Sequence, residues 1–167
     1  MKKVMIIGSP GSGKSVFARR LQELTGLPLY PLDSIWHKPD RTHITREEFD
    51  ARLDEILASD RFILDGNYRR TMEKRLAVCD TVFLLDYPTE VCLEGAAARV
   101  GTPHPDLPWT ETRMDEEFRQ YILHFREEET PLIYEKIDRY REGRTVVIFH
   151  TREESEEYLE HFASVEP

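Results

Sequence analysis

The chain is short of cysteine, of long apolar runs and of basic charge. Two cysteines among 167 residues, Cys79 and Cys92, are too few for a disulfide framework. Neither belongs to a CxxC or Cys/His spacing that would hold zinc. They read as small buried hydrophobes, and a reducing, cytoplasmic setting is expected. No run approaches the ~18 apolar residues of a membrane span, so no membrane contact is expected. The opening MKKVMIIG is too soon interrupted by glycine for a signal peptide and reads as a buried strand. Lys and Arg total 23 against 32 Asp and Glu, a formal net charge of −9. Nucleic acid is held by basic surface that displaces counterions, so direct nucleic-acid binding is not expected. Internal repeats, low-complexity tracts and Gly/Ser linkers are also missing.

What is present is enough sequence for one domain, residues 1–167, in which short apolar runs alternate with helical patterns. KKVMIIG precedes a helix from about Gly13 to Leu24, with Phe17, Leu21 and Leu24 at i, i+4, i+7. LPLYPLD reads as a short strand. Thr45 and Glu48 form a capping box for a helix bearing Phe49, Leu53, Ile56 and Leu57. RFILD, DTVFLLD and TVVIF read as further strands, with Pro88 expected in the first turn of the helix after the second of these. Later helices carry Phe118, Tyr121, Ile122 and Phe125, then Leu132 to Tyr140. The last is capped by Thr151 with Glu154. Five apolar strands separated by helices predict an α/β domain, a doubly wound five-stranded parallel sheet covered on both faces.

GSPGSGKS, Gly8 to Ser15, ends the first strand and opens the first helix, and it fits G-x-x-x-x-G-K-[ST]. Its glycines let successive N–H groups turn inward, and the helix N-terminus adds partial positive charge. Gly8, Ser9, Pro10, Gly11, Ser12, Gly13, Lys14 and Ser15 form a candidate nucleoside triphosphate cradle. Lys14 would reach the β and γ phosphates and the Ser15 hydroxyl a magnesium ion. Asp33, Asp65 and Asp86 fall at predicted strand ends, where parallel sheets place ligands. Asp65 is the candidate second magnesium ligand, with turn capping as its alternative. Asp33 would orient an acceptor hydroxyl or take its proton, with helix capping as its alternative. Asp86 reads as a cap.

GSPGSGKS, LPLYPLDSIW, FILDGNYRRT and DTVFLLDYPTEVCL, in that order, resemble the adenylate-kinase-like P-loop proteins across almost the whole chain. More closely they are similar to the bacterial topology modulation proteins. The resemblance implies a small Mg-ATP-dependent kinase, with an acceptor-side helical segment at about 33–60 and a lid at about 99–113. It implies Arg69, or Arg70 if the turn shifts, on the acceptor, with Asn67 in the same turn. It also implies Arg99 at the lid entrance, against adenine and the phosphates. The chain departs from the pattern in its lid, where GTPHPDLPW holds three prolines and no arginine. Arg113, Arg119 and Arg126 follow it, and Arg113 is the candidate to complete the catalytic set with Lys14, Arg99 and Asp33. EEET before Pro131 reads as a solvated helix end. Trp36 would either stack on an acceptor ring or belong to the core. His37, His43 and His104 read as surface histidines. Hinge motion is expected at the lid ends, near Gly101 and Thr110.

The expected partner is a small-molecule phosphoryl acceptor, a nucleotide, nucleoside or hydroxylated metabolite, taken by a monomer or homodimer. The group's name keeps a second expectation open, a nucleotide-binding regulator of DNA topology. A third is a switch that hydrolyses ATP slowly without an acceptor.

Overall fold

The computed structural model describes residues 1–165. Strand β1 (Lys3–Gly8) turns Val4 and Ile6 to one face of the sheet and Met5 and Ile7 to the other, and all four are fully buried. A strand buried on both sides belongs at the centre of a parallel sheet, and β1 lies there. The order is β2-β3-β1-β4-β5, with β2 (Leu29–Pro31), β3 (Phe62–Asp65), β4 (Thr81–Leu85) and β5 (Thr145–Phe149), and every pairing is parallel.

One face is covered by α1 (Lys14–Thr25), α5 (Thr89–Ala98), α6 (Glu116–Glu128) and α8 (Arg152–Val165). Phe17, Leu21, Cys92, Ile122 and Leu159 pack there on Phe83 and Phe149. Met72 and Leu76 of α4 (Met72–Val78) and Ile133 and Ile137 of α7 (Thr130–Tyr140) cover the other face, and Phe125 of α6 reaches it as well. Beside β2 and β3, α2 (Leu32–Trp36) and α3 (Arg46–Ala58) close a third cluster on Leu32, Phe49, Leu53 and Phe62. Helix α3 starts at the predicted capping box: Glu48 N–H donates to Thr45 Oγ1 (3.1 Å) and Thr45 N–H to Glu48 Oε2 (2.9 Å). The doubly wound α/β architecture is therefore as read.

Several local expectations change. Only Leu29–Pro31 of LPLYPLD pairs as strand, and Asp33 lies in the first turn of α2. Its side chain caps nothing, because it accepts from Tyr68 instead. Pro88 precedes α5 as its N-cap residue. Asp86 does not cap α5. It accepts the Tyr134 hydroxyl (2.8 Å) and faces Arg126 (3.9 Å) and His150 (3.7 Å), tying α6 and α7 to the end of β4. Phe118 and Tyr121 leave the buried stripe of α6, where Ile122 and Phe125 remain. Among the described residues no helix is long and apolar enough to cross a membrane.

Candidate functional site

The turn after β1 carries the cradle. Gly11 and Gly13 sit at φ +79° and +93°, the left-handed region that glycine adopts without strain. At Gly11 a side chain is also excluded sterically, since a Cβ would overlap the Cys92 carbonyl of α5. Ser12 N–H donates to the Ser9 carbonyl (3.1 Å), and Arg152 of α8 braces the outside of the turn through the Gly11 carbonyl (3.3 Å). Inside it, Lys14 Nζ folds back onto the Ser9 carbonyl (3.1 Å). Burial lowers the lysine pKa, while Asp65 and Asp33 pull it the other way.

Two chemistries meet beside Lys14. Ser15 Oγ donates to Asp65 Oδ2 (3.0 Å), and Asp65 Oδ1 is buried without a hydrogen-bond donor. Burial pushes the Asp65 pKa up to about 6 despite Lys14. A half-buried hydroxyl beside a buried carboxylate with one orphaned oxygen fits a divalent cation that takes its other ligands from phosphate and water. Among the described residues no cluster of three or more His, Cys, Asp or Glu is placed to hold a metal ion.

The turn after β3 builds the opposite wall. Asn67 spans to the start of the phosphate loop, accepting from Gly8 N–H (3.1 Å) and donating to the Gly8 carbonyl (2.7 Å). Tyr68, at φ +37°, donates its hydroxyl to Asp33 Oδ1 (2.6 Å). Burial and the adjacent Asp33 carboxylate raise the phenol pKa, so Tyr68 stays a donor. Asp33 Oδ2 receives no hydrogen bond from the described residues. A left-handed tyrosine stores roughly 1–3 kcal/mol of backbone strain and needs its surroundings to hold it. Arg75 of α4 does so. Fully buried, it donates to the carbonyls of Gly66 (2.9 Å), Asn67 and Tyr68 (3.1 Å). Burial lowers the Arg75 pKa to about 9.

The segment 99–113 covers the cavity. Gly101 N–H donates to the Glu111 carbonyl (2.7 Å), pinching the two ends together. Asp106, almost fully buried, is ion-paired with Arg19 of α1, and its carbonyl accepts from Ser34 Oγ (3.3 Å). His104 Nδ1 accepts the Asp106 N–H (3.2 Å). Trp109 is held by its indole N–H to Glu111 Oε1 (2.6 Å) and by the edge of His37 at 5.1 Å. Beneath lies a cavity of about 540 Å³, within the range that encloses small ligands. Lys14, Ser15, Asp65, Asp33, Asn67, Arg99 and Arg113 all line it.

Three expected residues stand apart. Trp36 stacks on His43 at 4.2 Å and packs edge-on to Phe49, so it belongs to the third core cluster. Arg69, in a short 3-10 turn (Arg69–Thr71), pairs with Glu129 (3.1 Å), and Arg70 pairs in two-pronged fashion with Asp50 (2.6 and 3.0 Å). None of the three lines the cavity. Glu129 is thus not a purely solvated helix end. His37 and His104 line the cavity instead of lying idle on the surface.

Residues absent from the sequence reading are Tyr68, Arg75, Asp106 and Trp109. The DGNY and lid stretches flagged the right places, but the partners are 35 and 87 residues apart and no local pattern reports them.

No protein-family model matches the chain. Adenylate kinases of Thermotoga petrophila and Thermotoga maritima are 31% identical to it over 94 residues, 54% of this chain and 42% of theirs. The match therefore spans less than half the length of those relatives. Two solved structures share the fold over nearly the whole chain. Shikimate kinase from Acinetobacter baumannii in complex with shikimate has a TM-score of 0.61 at 19% identity, covering 98% of this chain and 94% of that one. A gluconokinase from Sinorhizobium meliloti 1021 has a TM-score of 0.55 at 18% identity, covering 98% and 90%. The chain therefore shares the fold of these two solved kinases.

Proposed function

We propose that the protein transfers the γ-phosphoryl group of Mg-ATP to a hydroxyl of a small acceptor. The observation that carries this reading is a single cavity with a phosphate loop on one wall and a carboxylate bearing a free oxygen on the other. The adenylate kinase likeness and the fold of the two solved kinases support it.

The roles follow from charge and placement. Gly8 and Ser12 spend their N–H groups on Asn67 and Ser9, so Gly11, Gly13 and the N-terminus of α1 serve the phosphates, and Lys14 leaves the Ser9 carbonyl to meet them. Arg99 and Arg113, at the two ends of the lid, put positive charge where the equatorial oxygens gain negative charge. Ser15 and Asp65 would hold magnesium, which when bound would neutralise phosphate charge. Asp33, fixed by Tyr68, accepts the proton of the acceptor hydroxyl through Oδ2. The acceptor oxygen bonds to the γ phosphorus as the bond from that phosphorus to the bridging oxygen breaks. The electron pair leaves on ADP, and Asp33 returns its proton to solvent. Residues 99–113 act as lid and the segment at about 33–60 as acceptor side of one catalytic domain. The finer likeness to the topology modulation group rests on Asp33-x-x-Trp36 and Asp65-Gly66-Asn67-Tyr68, stretches joined by the Tyr68–Asp33 hydrogen bond.

The test is ADP formation from Mg-ATP with a panel of hydroxylated acceptors, using Lys14→Ala as the blank. Acceleration by an acceptor that is lost in Lys14→Ala and in Asp33→Asn supports the reading. Intact Mg-ATP binding with no acceleration by any acceptor counts against it.

A further inference from the structure

The acceptor wall is poor in available positive charge and rich in rings. Arg69 and Arg70, the two cations next to the Tyr68 turn, are each committed to a carboxylate, Glu129 and Asp50. Arg69 directly follows Tyr68, and Glu129 is the C-cap residue of α6, the helix that carries Phe118 and Tyr121, so the pair joins the two elements that supply these lining residues. The cavity cations are Lys14 and the lid-end pair Arg99 and Arg113, all assigned above to the triphosphate. Facing the acceptor are the carboxylates of Asp33 and Glu111 and the rings of Tyr68, Trp109, Phe118 and Tyr121. Phe118 and Tyr121 are 39% and 42% exposed, large apolar surfaces turned out of the α6 core stripe. With Arg99 and Arg113 engaged by the triphosphate and Arg69 and Arg70 held by Glu129 and Asp50, a phosphate-bearing acceptor would bring its charge against carboxylates, a desolvation cost left uncompensated.

We infer that the acceptor is a neutral hydroxylated ring compound, a nucleoside or a sugar. The Arg69–Glu129 ion pair disfavours its phosphorylated counterpart by holding the arginine that follows Tyr68 against α6 and out of the cavity. This rests on the phosphoryl-transfer reading and narrows its substrate class. The neutral ring lies against Trp109 and Tyr68, with one hydroxyl at Asp33. Selectivity arises from an unpaired charge built against the competitor as much as from contacts made to the favoured ligand.

The experiment measures kcat/KM for ADP formation with matched pairs: adenosine and AMP, thymidine and dTMP, glucose and glucose 6-phosphate. It uses the full chain and the variants Glu129→Gln and Lys14→Ala. The expected result is that the neutral member of an accepted pair exceeds its phosphorylated partner by about ten-fold or more. In Glu129→Gln that ratio falls about five-fold, because the freed Arg69 serves the phosphorylated acceptor, while ATP KM is unchanged. Nucleosides and glucose distinguish the two sources of the ring. Preference for the phosphorylated members overturns the inference and leaves the kinase reading standing. So does a ratio that Glu129→Gln does not move. If no member of any pair raises ADP formation above the Lys14→Ala blank, phosphoryl transfer itself fails and the inference falls with it.

Discussion

Arg19, on the first helix after the phosphate loop, is ion-paired with Asp106 of the lid, 87 residues along the chain. The carboxylate is almost fully buried and the guanidinium about one-third exposed. The pair therefore fastens the segment 99–113 to the element that carries Lys14 and Ser15, and in the proposed reading of that segment as a lid, closure and the phosphate loop would share one support.

Removing that support should loosen the lid without unfolding the sheet. Arg19→Ala leaves the Asp106 carboxylate under the lid without its cation, a local cost of about 1–3 kcal/mol. Hydrogen exchange of residues 101–109 should then accelerate about ten-fold or more, with the β1 and β4 amides unchanged. The Gly101 N–H to Glu111 carbonyl hydrogen bond draws the two ends of the segment together, and hinge motion is expected there, near Gly101 and Thr110. Equal protection of 101–109 in wild type and variant would refute the fastening role.

The same lid should respond to pH through His104. Burial and then Arg99 lower its pKa below the usual 6.5, while Asp106 and Asp33 oppose and Arg19 adds to the lowering. The closed lid thus holds a neutral imidazole whose Nδ1 accepts the Asp106 N–H. An open lid takes up the proton more readily, so the contribution of His104 to closure is present above about pH 6.5. It is lost as pH falls through the lowered value. Lid protection factors should drop between pH 7 and pH 5 in the wild type, and less so in His104→Gln. An identical pH profile in the two proteins would contradict this.

The two tryptophans should separate stability from acceptor binding. Trp36 is wedged among His43, Phe49 and Tyr68, so Trp36→Ala should cost about 2–4 kcal/mol in denaturant unfolding. Trp109 lines the cavity from the lid, so Trp109→Ala should raise acceptor KM about five-fold or more at little cost in stability. A Trp36→Ala protein of wild-type stability with an impaired acceptor KM would reverse the assignment.

Those contrasts show where sequence reasoning stops. The Gly8–Ser15 cradle, the five strands and the Thr45–Glu48 cap are local patterns, legible because spacing alone encodes them. Asp33 and Asp65 were legible as carboxylates near strand ends. Their partners Tyr68 and Ser15 are brought to them by the parallel crossover. Arg69 and Arg70 looked free because Glu129 and Asp50 lie on other helices, and Trp36 and Trp109 are indistinguishable until packing places one in the core and one on the lid. Proline spacing marked the lid, yet nothing in its composition says that a buried Asp106 fastens it.

Arg75 offers the last and sharpest test, because its hydrogen bonds all go to backbone carbonyls. Its guanidinium satisfies the carbonyls of Gly66, Asn67 and Tyr68, and these hold Tyr68 in the left-handed conformation that delivers its hydroxyl to Asp33. Arg75→Met strands those carbonyls in the interior and should destabilise by about 3–5 kcal/mol. Arg75→Lys keeps a charge and three donors but not the planar fork, and should recover only part of that loss. If the role is positioning, the lysine variant, where folded, should bind ATP normally while kcat with the accepted acceptor falls about ten-fold or more. Tyr68→Phe in the wild-type background should give the same kcat defect with little loss of stability, since it removes only the hydroxyl that Arg75 helps to aim. A normal kcat in both variants would reduce Arg75 to a structural strut and detach Tyr68 from catalysis.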